Sequence, residues 1–293
     1  MLIAPEVTRI SLKNILFPTD FSPFSHAALP FASTLARIYG ATILMTHVVP
    51  PEPHLQVPLD RLPAQDDAAA LGARQKLTEL MHDPMVSGIQ CKLEVWQGEL
   101  GKVIPELIHE RSVDIVVLGT HGHHGLSKLV LGSGAEQVYR TATCPVLTIG
   151  PKVRSAEDWK PRRILCPVDL AEDPAPVLHY ALSLAEENQS EIMILEAMPL
   201  VPWQHRAVVE ERRRRALQEL IPAHVDDWCT PQLMVRFEYP ADAILETATE
   251  HDVDLVVMSV HKARVSALSS HLPWPVASEV VSRAQCPVLT IRI

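Results

Sequence analysis

Across 293 residues the chain is 47% hydrophobic and 21% charged, with a mean hydropathy of +0.09, enough apolar material for a substantial core and too much length for one small domain. Its 26 basic and 35 acidic side chains leave a formal net charge of −9, which argues against the basic footprint of a nucleic-acid binder. No apolar run approaches the ~18 residues of a membrane span, and the opening MLIAPEVTRISLKN lacks the basic start, apolar middle and small-residue cleavage site of a secretory leader. The expectation is a cytoplasmic protein with neither nucleic acid nor a membrane as partner. Five cysteines without a CxxC pair fit reduced thiols rather than a disulfide framework, Cys144 and Cys286 serving as packing residues.

In chain order, NILFP (Asn14 to Pro18) predicts the first strand, and PTD (Pro18 to Asp20) falls on the turn at its carboxyl end. Ser22 followed by Pro23 predicts a helix start, because the hydroxyl accepts from a free N–H and proline in the first turn sacrifices no bond. Further strands are expected near Thr42 to Val48, Gln90 to Trp96, Asp114 to Gly119 and Val146 to Ile149, with helices between them. PPEPHLQVPLDRLPAQDD, from Pro50, predicts a mobile surface excursion, since its prolines disfavour both a helix interior and a central strand. Strands return near Arg163 to Cys166, Glu191 to Glu196, Gln232 to Phe237, Asp254 to Ser259 and Val288 to Ile291. ERRRR (Glu211 to Arg215) is the only basic run. It is expected on the solvated face of a helix, the alternative being an anion or polymer site.

The second set of strands copies the first. NILFPTDFS from Asn14 is echoed by RILCPVDLA from Arg163, VDIVVLGTH from Val113 by VDLVVMSVH from Val253, and CPVLTI from Cys144 recurs unchanged from Cys286. Three matches in one order indicate duplication. The domains are placed at 1–150 and 151–293, joined through the polar, proline-containing GPKVRSAEDWKP. Short runs of Val, Ile and Leu alternating with helical stretches are the mark of a parallel sheet covered on both faces. The expected fold is therefore α/β: two tandem doubly wound, Rossmann-like domains of five parallel strands.

In such a sheet ligands settle outside the carboxyl ends of the strands, where strand order reverses. Asp20 and the stretch VVLGTHGHHGLSKLVLGSGAE, from Val116, both fall at such ends. Glycines admit backbone conformations closed to other residues and let N–H groups approach a ligand closely. Ser133 to Glu136 has the S-x-x-E spacing of a capping box, so a helix is expected to open there, offering oriented N–H donors and the positive end of its dipole to a phosphate chain.

At these residues the chain resembles the universal stress protein family in its tandem two-domain form. The ATP-binding members of that family carry G-x-x-G, nine residues, then G-S or G-T. Gly119, Gly122, Gly132 and Ser133 match that pattern, His123 to Leu131 being the nine residues. The family's PTD matches Pro18, Thr19 and Asp20, and its valine after strand two matches Val48, which follows His47. The resemblance implies that Asp20 and Val48 meet adenosine while Gly122, Gly132, Ser133 and Gly134 hold the phosphates of ATP. Leu118 and His121 flank the motif and complete the candidate site. Mg2+ is an implied companion ion, for which Asp20 offers a carboxylate.

Competing explanations stand beside each of these assignments. Asp20 equally suits a turn-forming residue that accepts backbone bonds, Ser133 a helix cap, and Lys128 a solvated loop residue rather than a phosphate partner. His121, His123 and His124, with His26 and His47 nearby in the fold, suggest a zinc site, although no cysteine accompanies them. No G-x-x-x-x-G-K-[ST], H-E-x-x-H or G-x-S-x-G is present. The chain therefore reads as a binding or regulatory module, with at most slow ATP hydrolysis, and a nucleotide-independent scaffold is the alternative. In the second half Ser259 and Lys262 stand opposite Gly119 and Gly122, and Trp274 and Pro275 opposite Gly132 and Ser133. HLPWPVAS, containing Trp274, is expected to plug that pocket, against the alternative of an exposed Trp274 in a disordered loop. Pro167 and Asp169 remain as a relic of the PTD turn.

The resemblance further implies that the last strand of each half, PVLTI, pairs across a two-fold axis. The two halves are thus expected to form an intramolecular pseudo-dimer, with a homodimer as a further level of assembly. The first half expressed alone should then run as a dimer through Val146 to Ile149 in size-exclusion chromatography with light scattering. A monomer at high concentration would exclude that pairing.

Overall fold

Apolar runs become strands here wherever both faces of the run are covered. In NILFP, Ile15, Leu16 and Phe17 are fully buried, each contributing roughly 1.5–3 kcal/mol of transfer free energy. The computed structural model describes residues 10–50, 62–63, 68–120, 133–153, 159–198, 202–223, 225, 228–260 and 273–292. These divide into two compact units, Ser11–Pro151 and Asp158–Ile293, with Ile10 belonging to the second.

The first unit runs β1 (Asn14–Pro18), α1 (Pro23–Tyr39), β2 (Thr42–Val49), β3 (Leu62–Pro63), α2 (Ala68–Met81), β4 (Cys91–Gln97), α3 (Leu100–Glu110), β5 (Ile115–Gly119), α4 (Ser133–Thr141) and β6 (Val146–Ile149). Its strand order is β3-β4-β2-β1-β5-β6, and every neighbouring pair is parallel except β3 on β4. The second unit runs β7 (Arg163–Val168), α5 (Ala175–Asn188), β8 (Glu191–Ala197), α6 (Trp203–Glu219), β9 (Gln232–Arg236), α7 (Pro240–Glu250), β10 (Leu255–Val260), α8 (Pro273–Arg283) and β11 (Val288–Arg292). Its order is β9-β8-β7-β10-β11, all parallel. Each unit thus holds the five parallel strands of a doubly wound sheet. The chain leaves β1 towards β2 and β4, then returns to its other side at β5, so strand order reverses between β1 and β5 and again between β7 and β10.

Three local expectations change. Within the proline-rich stretch Leu62 and Pro63 form a short antiparallel strand on β4, an edge position where a missing N–H costs no ladder bond. The basic run lies on α6, where Arg214 and Arg215 pair with Glu210 and Glu211 at i,i+4. Arg213 instead reaches the buried Glu196, at 3.1 Å, so the run is not purely a solvated face. Trp274 lies in the first turn of α8, because Pro273 and Pro275 stand where a helix has no intrahelical use for their N–H groups; this changes only the alternative weighed for it, a disordered loop. Whether its side chain fills the second pocket lies outside the described residues.

The helix start at Ser22 has the expected cap: its hydroxyl accepts from the Ser25 N–H at 3.2 Å, and α1 ends on Gly40 in the left-handed region, φ 66°. The duplication extends to one side-chain staple. Asp114 Oδ2 accepts from the N–H groups of Lys13 and Asn14 at 2.7 and 2.8 Å, tying the head of β5 to that of β1. Asp254 Oδ2 accepts from the Arg163 N–H at 3.0 Å in the copy. Asp114→Ala is expected to lower the unfolding free energy by about 1–3 kcal/mol, the cost of orphaning N–H groups bonded to a charged acceptor. Urea denaturation followed by circular dichroism measures it, and Asp114→Asn should recover part of the loss.

Candidate functional site

The carboxyl ends of β2, β1 and β5 lie side by side in the sheet, and the turn after β1 is built by short-range hydrogen bonds. The Thr19 N–H donates to the Thr46 carbonyl at 2.9 Å, carrying the β1–β2 ladder one residue past the strand. The Thr19 side chain is turned inward. Its Oγ1 accepts from the Phe21 N–H at 3.0 Å and lies 3.0 Å from Ser25 Oγ, which donates in turn to the Ser22 carbonyl at 3.0 Å. Asp20 is exposed, and its Oδ1 accepts from the Ser22 N–H at 3.0 Å, so the turn-forming role weighed for it is present.

Phe21 itself has φ 62°, a left-handed conformation that costs a side-chain-bearing residue about 1–2 kcal/mol. The hydroxyl network on Thr19 and the cap of α1 impose it. The Phe21 ring stacks on His47 with centroids 4.6 Å apart and planes 30° apart, and Lys76 Nζ of α2 lies 5.2 Å from its centroid. His47 Nδ1 lies 2.8 Å from the Thr19 carbonyl oxygen. A carbonyl only accepts, so Nδ1 carries the proton, and in the neutral ring Nε2 is left as an acceptor.

Across the switch point stands Gly119, the last residue of β5. A Cβ there would collide with the backbone carbonyl of Phe24 and stand 3.2 Å from Ser25 Cα. The missing side chain makes room for the first turn of α1. Leu118 is 3% exposed and belongs to the core, and the Thr120 N–H continues the ladder by donating to the Ile149 carbonyl at 3.1 Å. Ser133 begins α4, and a Cβ on Gly134 would meet Leu100 Cδ2 of α3 at 3.2 Å.

The structure therefore groups Pro18, Thr19, Asp20, His47, Val48 and Gly119 at adjoining strand ends. His121, Gly122 and Gly132, like Lys128, lie outside the described residues, as do the side chains of Ser133 and Glu136. Of the histidines considered for zinc, His47 is bonded to Thr19, and His26 Nε2 lies 3.1 Å from Asp83 Oδ2; the others lie outside the described residues. Among the described residues no three His, Cys, Asp or Glu side chains gather as metal ligands, and no helix is long and apolar enough to cross a membrane. All five cysteines are free, and burial pushes the thiols of Cys144, Cys166 and Cys286 up to about 12, which makes them poor nucleophiles.

The equivalent place in the second unit keeps the turn and changes its lining. The Ala171 N–H donates to Asp169 Oδ1 at 2.8 Å, the bond that Ser22 makes to Asp20. Glu196 is one residue past the Pro167–Leu195 register pair, as His47 is one residue past the equivalent Pro18–Thr46 pair. Glu196 is 3% exposed, and burial raises its carboxyl pKa. Arg213 opposes that rise, as does a hydrogen bond from the Leu170 backbone, while the negative charge of Asp169 adds to it. Sequence reasoning missed this ion pair along with Phe21 and Lys76. The visible signal was Arg213, which as the neighbour of Arg214 and Arg215 points to a different side of the helix from them; nothing in the sequence marks a phenylalanine as left-handed.

A doubly wound parallel sheet with an aspartate turn beside its switch point, present here in two copies, defines a tandem α/β protein; only the first copy sets a glycine-ended strand across from that turn. The sequence model of the universal stress protein family matches the chain twice, over residues 11–150 and 160–292, and the chain belongs to that family. Universal stress protein A homolog 1 of Coxiella burnetii is 34% identical over 145 residues, covering 48% of this chain and 97% of the relative. A universal stress protein of Mycolicibacterium smegmatis is 24% identical over 300 residues, covering 95% of this chain and 97% of its own. The crystal structure of a universal stress protein from Archaeoglobus fulgidus shares the fold at a TM-score of 0.69 and 16% identity, covering 95% of this chain and 98% of that one.

Gly119→Ala tests the packing at the switch point. The methyl group has no free volume against the Phe24 carbonyl, so α1 must shift. A loss of about 1–3 kcal/mol, the usual range for overpacking, is expected in denaturant unfolding. Stability equal to that of the unaltered chain would mean that the helix start adapts freely.

Proposed function

We propose that the chain is a cytoplasmic regulatory protein of the stress-response kind that binds ATP, with Mg2+ as companion ion, in its first unit. The observation that carries this is the arrangement at the β1/β5 switch point: the Pro18–Asp20 turn faces the end of β5 at Gly119, and α4 opens at Ser133. A helix start supplies unpaired N–H groups and a positive dipole end, which favour a phosphate chain without need of a lysine. Gly122, Gly132 and Ser133 are assigned to the phosphates, and Asp20 and Val48 to adenosine, on the G-x-x-G, nine residues, G-S pattern. His121 and Leu118 are assigned to the same site on their place beside that pattern.

Asp20, at the end of the β1 turn, would offer Mg2+ its carboxylate. Turnover is expected to be slow at most, because no motif places a base or an arginine to activate water. The second unit is assigned a structural or regulatory role without nucleotide. Its crevice holds the Glu196 carboxylate where the first unit has His47, and its helix start carries prolines where N–H donors would meet phosphate.

Titration calorimetry of the full chain with MgATP should give a stoichiometry near one. Gly122→Val should abolish binding while leaving the thermal unfolding transition in place, because a branched side chain blocks close approach of the backbone to phosphate. Unchanged ATP affinity in the folded Gly122→Val variant would overturn the site, and a stoichiometry of two would overturn the silent second unit.

A further inference from the structure

We propose that Phe21 is the platform on which the nucleobase stacks, an inference that rests on nucleotide binding at the β1/β5 crevice. Three observations converge on its ring. First, Phe21 is held at φ 62°, where glycine would sit without strain. Retaining a bulky aromatic there in spite of the strain points to a use for the ring. Second, the ring is braced from behind by structure rather than by chance contact. The Phe21 N–H is fixed on Thr19 Oγ1 at 3.0 Å, and the ring packs on His47, which is itself tied to the Thr19 carbonyl at 2.8 Å. The brace and the turn are thus one hydrogen-bonded object at the carboxyl ends of β1 and β2, its members Phe21 and His47 adjoining Asp20 and Val48 in sequence. Third, the ring is reachable from solvent: it is only half-buried, and the group over it, the Lys76 ammonium at 5.2 Å, belongs to an exposed side chain.

The relative strengths decide what happens when a base arrives. An exposed ammonium over a phenyl ring is a weak, water-competed contact, whereas an aromatic base on the same ring gains more, without regard to sequence-specific hydrogen bonds. The base therefore displaces Lys76 and takes its place on Phe21. His47 cannot move to accommodate it without giving up its bond to Thr19, so it keeps the ring in position. In the second unit Leu170 follows Asp169 where Phe21 follows Asp20, and Glu196 replaces His47; neither the platform nor its brace is present there.

The test uses the full chain and four variants, titrated with ATP and with AMP. Phe21→Gly, which removes the ring and relieves the strained backbone, is expected to weaken ATP and AMP by the same factor, on the order of tenfold, the scale of one lost base–aromatic stack. Its unfolding temperature should not fall. Phe21→Tyr and Phe21→Trp should bind both nucleotides within about twofold of the unaltered chain, because each keeps an aromatic face. Phe21→Leu, which fills similar space without such a face, should lose affinity as Phe21→Gly does. Leucine binding as well as phenylalanine, or Phe21→Gly binding ATP undiminished, would overturn the platform while leaving the nucleotide site intact. A loss for ATP much greater than that for AMP would also overturn it, since the ring would then be acting on the phosphates. No ATP uptake by the unaltered chain would instead overturn the nucleotide-binding proposal, and the platform with it.

Discussion

The first unit depends on one close approach: the first turn of α1 passes against the last residue of β5, where only a hydrogen fits. Gly119 makes that possible, and the consequences spread outward from it. With α1 drawn in, Ser25 comes within hydrogen-bond distance of Thr19. The hydroxyl relay from Phe21 N–H through Thr19 and Ser25 to the Ser22 carbonyl then closes the turn. Closing the turn forces Phe21 left-handed, and that conformation aims its ring at His47. A packing constraint inside the sheet is thereby converted into the shape of the crevice at its edge.

The second unit shows what happens when the constraint is relaxed. There the helix after the aspartate turn starts at Ala175, leaving a longer segment after Asp169 than Pro23 leaves after Asp20. A side chain, that of Ser259, is accommodated at the position equivalent to Gly119. The Asx turn survives because it needs only an aspartate and the next backbone N–H but one. What changes is the lining: an imidazole tied to a backbone carbonyl is exchanged for a buried carboxylate paired with Arg213. Duplication preserved the scaffold, including the aspartate staple at the heads of the central strands, and freed the second crevice to diverge.

Much of this was legible in the order of residues. Period and composition specify ten parallel strands, because a strand buried on both faces must be apolar along its whole length, as ILF in β1 and IVVL in β5 are. The repeat is legible because the same burial demands recur in the same order, and the helix start at Ser22–Pro23 because capping is local chemistry. The aspartate turn and the helix opening at Ser133 follow for the same reason: each is decided within four or five residues. The antiparallel segment at Leu62–Pro63 was not legible, since proline is tolerated on an edge and the sequence does not say which strand will be one.

What only the tertiary structure decided is which side chains from distant elements meet. That Gly119 yields to Phe24, that Arg213 turns in to Glu196 while Arg214 and Arg215 turn out, and that Lys76 of α2 lies over a ring in the turn after β1 are facts about the packing of elements far apart in sequence. The left-handed Phe21 is the clearest case. Local propensity opposes that conformation, and it persists because the hydrogen bonds of Thr19 and the cap of α1 outweigh its cost. The sequence by itself determined the strands, the turns and the duplication, which are settled by short-range sterics and burial; the shape of the crevice had to wait for three separate elements to be packed against one another.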